Sequence, residues 1–224
     1  MAEFILRLVI SLALCYLIGS VNFAVLISRL FSDDIRTHGS GNAGMTNMMR
    51  VHGFFPGLIT FLGDAAKGIA SMLICKSFIL IPAPGGADSM ISQVFSPEYM
   101  LYICGFACLI GHAYPLFFGF RGGKGVATTL GIFIVIDPVV AAFGLAFFII
   151  SLLFFGIISV SSVMAGVDMI FTALLKSIYL GLPIGFTVLN TVLTAVIIGF
   201  ALYKHKENII RIRRGEEKPL KVKR

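Results

Sequence analysis

Residues 126–203 constrain the fold more than any other feature: 78 positions with three charged side chains, Asp137, Asp168 and Lys176. Soluble domains carry about a quarter charged residues, and no water-exposed surface is built from so few. The bias extends to the whole chain of 224 residues, which is 58% hydrophobic and 13% charged. A soluble globular domain, a disordered segment, a disulfide scaffold and a collagen-like rod are all excluded. The sequence reads as one domain, residues 1–224, of an all-α polytopic membrane protein.

A helical crossing takes about 20 apolar residues. Runs of that kind occupy 4–30, 54–75 and 99–118. The polar, glycine-containing stretch 32–53 and the stretch 82–98 read as aqueous loops, and 121–125 as a tight basic connection. Within 126–203 the breaks fall at Asp137-Pro138, around Ser159 to Ser162, and at Gly181-Leu182-Pro183, giving spans at 126–136, 139–158, 163–180 and 183–203. Two crossings there would need helices of about 39 residues against the usual range of roughly 17 to 25, whereas four fit. Four is also even, as it must be if Arg121, Lys124 and the basic tail 204–224 are all cytoplasmic. The segment 126–136 is short for a span: it is tilted, shielded by neighbours or incomplete.

The expected topology is seven transmembrane helices with the N-terminus outside and the C-terminus cytoplasmic. Fourteen Lys and Arg then lie inside and three outside (Arg7, Lys76, Lys176), with Lys67 in the second span. Nine of the eighteen follow Tyr203, so the formal charge of +7 marks a tail facing anionic lipid and not a nucleic-acid surface. The first apolar run is too long for a cleaved signal peptide and lacks an A-x-A site. Cys15, Cys75, Cys104 and Cys108 sit in or beside apolar runs, and neither a disulfide framework nor a metal knuckle is suggested; Cys104 and Cys108 read as packing residues.

This topology puts three polar segments on one cytoplasmic face. The first, Gly39-Ser40-Gly41-Asn42-Ala43-Gly44-Met45-Thr46-Asn47-Met48-Met49-Arg50, combines glycines that can turn amides inward as an anion nest with neutral hydrogen-bonding groups on Ser40, Asn42, Thr46 and Asn47. Arg36 and Arg50 can add charge, Arg50 with a fork suited to phosphate. The second, Arg121-Gly122-Gly123-Lys124-Gly125, feeds a helix N-terminus, as phosphate sites do. It lacks P-loop spacing and a preceding strand, which disfavours nucleotide hydrolysis. The third continues the last helix, with His205, Asn208 and Arg211 drifting along one face. The plain alternatives are a flexible loop, a basic turn and a solvated helix end.

Inside the second span Asp64 and Lys67 stand three residues apart. Their insertion cost, about 2.5 to 3.5 kcal/mol for a lone charge, is met by pairing or by a polar cavity; a proton relay is the functional alternative. His112 reads equally as support for the adjacent Gly-Gly-Lys-Gly turn or as an ordinary interfacial histidine. Asp168 has no sequence-local partner beyond Lys176.

Together these pieces resemble the bacterial acyl-phosphate-dependent glycerol-3-phosphate acyltransferases, the PlsY family. The matching stretches are GSVNFAVLISR, DIRTHGSGNAGMTNMMR, GDAAKG, GHAYPLFFGFRGGKGVAT, SVSSV and HKENIIRIRRGEE, in the family's order over most of the chain. The resemblance implies transfer of an acyl group from acyl phosphate to the sn-1 hydroxyl of glycerol 3-phosphate, giving lysophosphatidic acid and phosphate. It implies a multi-pass enzyme of the bacterial inner membrane with its site on the cytoplasmic face, no cofactor, no metal, and the acyl-phosphate-forming enzyme as a further partner. The family's first motif falls on Ser40, Gly41, Asn42, Gly44, Asn47 and Arg50, its phosphate motif on Gly122, Gly123, Lys124 and Gly125, and its third on His205, Asn208 and Glu207.

The chemistry agrees with the residues. Ser40, Arg50, Lys124, His205 and Asn208 are the catalytic candidates; Gly41, Asn42, Gly44, Thr46, Asn47, Gly122, Gly123 and Gly125 form the phosphate loops; Asp64, Lys67, His112 and Glu207 support them. The general base is either His205 or a substrate phosphate oxygen. A phosphorylated-solute transporter would want broken helices at mid-membrane and an internal repeat, a CDP-alcohol phosphotransferase would need an acidic metal motif, and a scaffold would not need three convergent polar motifs.

Overall fold

The computed structural model describes residues 2–79, 96–217 and 219. Among them the chain is helical, with no strand. The helices are α1 (Ala2–Gly19), α2 (Phe23–Arg29), α3 (Met45–His52), α4 (Phe54–Ile79), α5 (Pro97–Ala113), α6 (Val126–Ile136), α7 (Pro138–Phe155), α8 (Ile158–Tyr179), α9 (Ile184–Tyr203) and α10 (Lys206–Arg213), with short 3₁₀ turns at Ile35–Thr37 and Leu116–Phe118. Six segments are long and apolar enough to cross a membrane: Glu3–Arg29, Phe54–Ser77, Glu98–Phe118, Pro138–Phe155, Ile158–Tyr179 and Ile184–Tyr203. Large apolar side chains face outward along them, Leu153 and Phe154 being 81% and 83% exposed, as lipid contact requires.

Three details differ from the sequence reading. The run 4–30 is two helices: α1 ends at Gly19, and Asn22 starts α2 by accepting the Val25 N–H on its side-chain oxygen at 3.0 Å. The Lys67 ammonium donates to the Val21 carbonyl at 2.6 Å, satisfying an oxygen that the break leaves without a helical partner. The loop 32–53 contains α3, whose Asn47, Met48 and Met49 are buried. The break expected at Ser159 to Ser162 lies earlier, at Gly156, whose φ of 66° ends α7 in the left-handed region that favours glycine. The serines instead sit in the first turn of α8, where Ser161 and Ser162 return their hydroxyls to the carbonyls of Ile157 and Ile158 at 3.0 and 2.8 Å. Most of the stretch 82–98 lies outside the described residues.

Small residues let the helices approach closely. A Cβ on Gly111 would overlap the Tyr16 carbonyl between α5 and α1; one on Gly131 would overlap the Ala65 carbonyl between α6 and α4. Such contacts are how helices associate where lipid supplies no hydrophobic drive. They seat the short α6 in the middle of the bundle, with Thr128, Thr129, Ile132 and Phe133 buried, so its shortness is covered by protein. Lys176 does not serve Asp168: it pairs with Asp137 at 2.7 Å, at the junction of α6 and α7. Asp168 keeps a buried carboxylate oxygen that has no hydrogen-bond partner among the described residues.

Candidate active site

The segments around Ser40, Lys124 and His205 meet at one cleft of about 990 Å³, counting its open mouth. Ser40, Asn42, Thr46, Asn47 and Arg50 line it from the first loop and α3, Lys124 and Gly125 from the second, and His205, Asn208 and Arg211 from the last. Asp64, His112, Ser159 and Ser162 close its inner wall, and Glu217 reaches in from the tail.

The first loop is shaped by its own side chains. Asn47, buried at the start of α3, accepts the Ser40 N–H at 2.9 Å and donates to the Ile35 and His38 carbonyls at 3.1 and 2.9 Å. Its amide therefore stitches the loop and leaves Ser40 at the cleft. Arg36 is not part of the cleft: its guanidinium grips Asp34 at 2.7 Å and donates to the Phe118 carbonyl at 2.5 Å. The Arg36 guanidinium holds the Asp34 carboxyl down at about 2. Arg36 is thus an anchor between two loops, while the charge facing the cleft from this segment is Arg50. Gly44 lies at the start of α3, and Gly41 and Gly122 meet in a polar basin adjoining the cleft.

The second turn is pinned to α5. The N–H groups of Gly122 and Gly123 donate to the Ala113 and His112 carbonyls at 3.3 and 3.2 Å, so these two amides are engaged and do not form an open nest. A Cβ on Gly123 would overlap the His112 ring and stand 2.6 Å from the Ala43 carbonyl; this glycine is the point where the two loops touch. What remains for an anion is the Lys124 ammonium and the N-terminal end of α6. Burial, with Arg211 nearby, lowers the Lys124 pKa to about 8.

His205 is buried, and its Nδ1 lies 2.7 Å from the Ala201 carbonyl. A carbonyl only accepts, so Nδ1 carries the hydrogen and Nε2 of the neutral ring is an acceptor. Burial pushes the imidazole pKa down to about 4. Asn208 accepts from Lys124 on Oδ1 and donates from Nδ2 to Glu217 at 2.7 Å. The same Glu217 carboxylate accepts from Ser159 at 2.7 Å and from Arg211 at 2.6 Å. Burial alone would raise its pKa, but those three donors hold it below the ordinary glutamate value.

Glu217 is the residue the sequence reading missed; Glu207, named in its place, is exposed and stands at the rim of the adjoining basin with Lys204 and Lys206. The signal was available in Gly215-Glu216-Glu217, an acidic pair just beyond a glycine that can turn the chain back.

Behind the second turn, Asp64 and Lys67 form a buried ion pair at 2.8 Å. Lys67 Nζ also lies 2.9 Å from His112 Nδ1, which lies 3.2 Å from the Thr128 hydroxyl. Pairing, the first of the two readings, is what the geometry gives, and His112 joins the pair to the turn through its carbonyl.

Beside the polar cleft runs an apolar groove between α4, α6, α7, α8 and α9, lined by Leu130, Leu145, Ala165, Met169, Ile198 and Leu202. Phe61, Val126, Phe148, Ser162 and His205 border both spaces. The arrangement can take an anionic group at its polar end and a hydrocarbon chain at the other.

A family model described as glycerol-3-phosphate acyltransferase matches residues 9–215. A glycerol-3-phosphate acyltransferase of Thiobacillus denitrificans is 37% identical over 204 residues, 90% of this chain and 92% of the relative. One from Neisseria meningitidis serogroup B is 37% identical over 208 residues, 92% and 94% of the two chains. Two crystal structures of PlsY (YgiH), an integral membrane glycerol 3-phosphate acyltransferase, superpose on this fold. The glycerol 3-phosphate form has a TM-score of 0.76 at 33% identity and covers 96% of each chain; the lysophosphatidic acid form has a TM-score of 0.74 at 33% identity, covering 95% of this chain and 94% of that one. The chain belongs to the glycerol-3-phosphate acyltransferase family.

Proposed function

We propose that this protein transfers an acyl group from acyl phosphate to the sn-1 hydroxyl of glycerol 3-phosphate, giving lysophosphatidic acid and inorganic phosphate. The observation that carries the reading is the junction of a cationic, hydroxyl-lined cleft with an apolar groove at His205. Both substrates bring phosphate to the cleft, and the acyl chain takes the groove. Lys124 holds one phosphate, Arg50 and Ser40 the other, and His205 with Asn208 orients the acceptor. The acceptor oxygen adds to the acyl carbonyl carbon, the carbon–oxygen bond to phosphate breaks, and phosphate leaves.

A substrate phosphate oxygen takes the hydroxyl proton. A phosphate monoester has a second pKa of about 6, making it a stronger base than an imidazole held at about 4. His205→Gln keeps a hydrogen-bonding group without a titration and should retain turnover with an unchanged pH profile; loss of an ionisation from the profile would make His205 the base.

Supporting the reading of seven crossings, with α6 as the short fourth one, the N-terminus outside and the site on the cytoplasmic face of the bacterial inner membrane, is the fourteen-to-three excess of Lys and Arg on that side. The enzyme that forms acyl phosphate is the natural neighbour for delivery. Purified protein in detergent, given acyl phosphate, should release phosphate only when glycerol 3-phosphate is present. Solute flux into vesicles without such release would mark a transporter instead.

Lys124 also predicts a pH dependence. An anion favours the ammonium, whose pKa in the free protein is about 8. Above that pH binding must draw in a proton, so KM for the substrate whose phosphate Lys124 holds should rise with pH, by up to about tenfold per unit. The substrate phosphate is already dianionic there and does not contribute. Lys124→Arg stays charged and should flatten the rise.

A further inference from the structure

We propose that Cys15, Cys75 and Cys104 form a binding site for a soft monovalent metal ion, of the Cu(I) class, within the α1–α4–α5 part of the bundle. The three residues come from three different helices, all are buried, and their Sγ atoms lie within 4.8 Å of one another. Nothing in the acyl-transfer chemistry uses this site, since none of the three lines the cleft or the groove.

The surroundings select the ion. Cysteine thiolates and thioethers are the ligands that favour Cu(I), while hard cations require oxygen. Met72, fully buried one turn before Cys75, belongs to the same apolar cluster, and the Cys15 thiol donates to the Ser71 carbonyl at 3.7 Å. Ser11, one turn before Cys15 on α1, turns its buried hydroxyl toward the Cys75 thiol, a polar group of the first helix placed beside the second sulfur.

Charge makes the same choice. Binding one monovalent ion with release of one thiol proton leaves one thiolate and two thiols around the metal, a centre with no net charge. A divalent ion would need two thiolates for neutrality, and would find three ligands where Zn²⁺ takes four. A neutral centre is what a lipid-embedded interior tolerates. Cys108 is excluded by its own geometry: it receives the Ser71 hydroxyl at 3.2 Å and is not among the three clustered sulfurs.

The test uses full-length protein in detergent with reductant, titrated with Cu(I) against a chromophoric Cu(I) chelator. Wild type should retain one equivalent, with a near-ultraviolet sulfur-to-copper band and a raised melting temperature. Cys15→Ser, Cys75→Ser and Cys104→Ser should each weaken retention at least about tenfold, since even the loss of an outer partner costs a metal site that much. Cys108→Ser should bind as wild type, and acyl transfer by each variant reports that it is folded. Equal copper retention by wild type and the triple serine variant, or equal loss in Cys108→Ser, overturns the proposal.

Discussion

Lys124→Met should lower kcat/KM for acyl transfer by about 10² to 10³, the loss expected when one donor is removed from a site of developing charge. The side chain is nearly isosteric and apolar, and the turn that carries it is held through the Gly122 and Gly123 amides, so the variant should fold with the wild-type melting temperature. Lys124 also donates to Asn208, which in turn holds Glu217, and part of the loss will come from that chain relaxing. Rescue by Lys124→Arg separates charge from shape: an arginine that restores most of kcat but not KM shows that the ammonium acts on the reacting group and not only on binding. Wild-type turnover in Lys124→Met would remove the phosphate role of the turn.

Lys67→Met should be the most damaging single change to stability. It leaves the Asp64 carboxylate buried without its 2.8 Å partner and the Val21 carbonyl without its donor. Breaking a buried pair from one side costs about 3 to 5 kcal/mol, a drop in melting temperature on the order of 10 °C for a chain of this length. The double variant Asp64→Asn, Lys67→Met removes the stranded charge and should recover much of the loss. If it melts no higher than Lys67→Met, the ion pair is not what Lys67 contributes, and its bond to Val21 carries the stability.

How much of this was legible in the sequence differs from element to element. The helical bundle was, because apolar run length is set by the bilayer and survives any detail of packing. Lys124, His205 and Asn208 were legible because a charged or polar side chain beside an apolar run needs a reason to be there. Arg36 was not: its type suits phosphate, and only the Asp34 carboxylate two residues before it gives away its anchoring work. The break at Gly156 was hidden because Ser159 to Ser162 look like loop residues, yet hydroxyls in a membrane helix can return to the preceding turn. Glu217 was hidden for a different reason. Its place depends on the chain doubling back after α10, a long-range contact that no local periodicity encodes.

The shortness of α6 has a further meaning for where the reaction takes place. Eleven residues rise about 16 Å, roughly half the thickness of a hydrocarbon slab. The far end of α6 is tethered by Asp137 to Lys176, about 27 Å along α8 from its start at Ile158. The Gly-Gly-Lys-Gly turn at the near end opens onto the same cleft as Ser159 in the first turn of α8. On the proposed acyl transfer, a water-borne acceptor enters at the polar end of that cleft while the acyl chain stays in the apolar groove beside it, and neither reactant has to change phase for the bond to form.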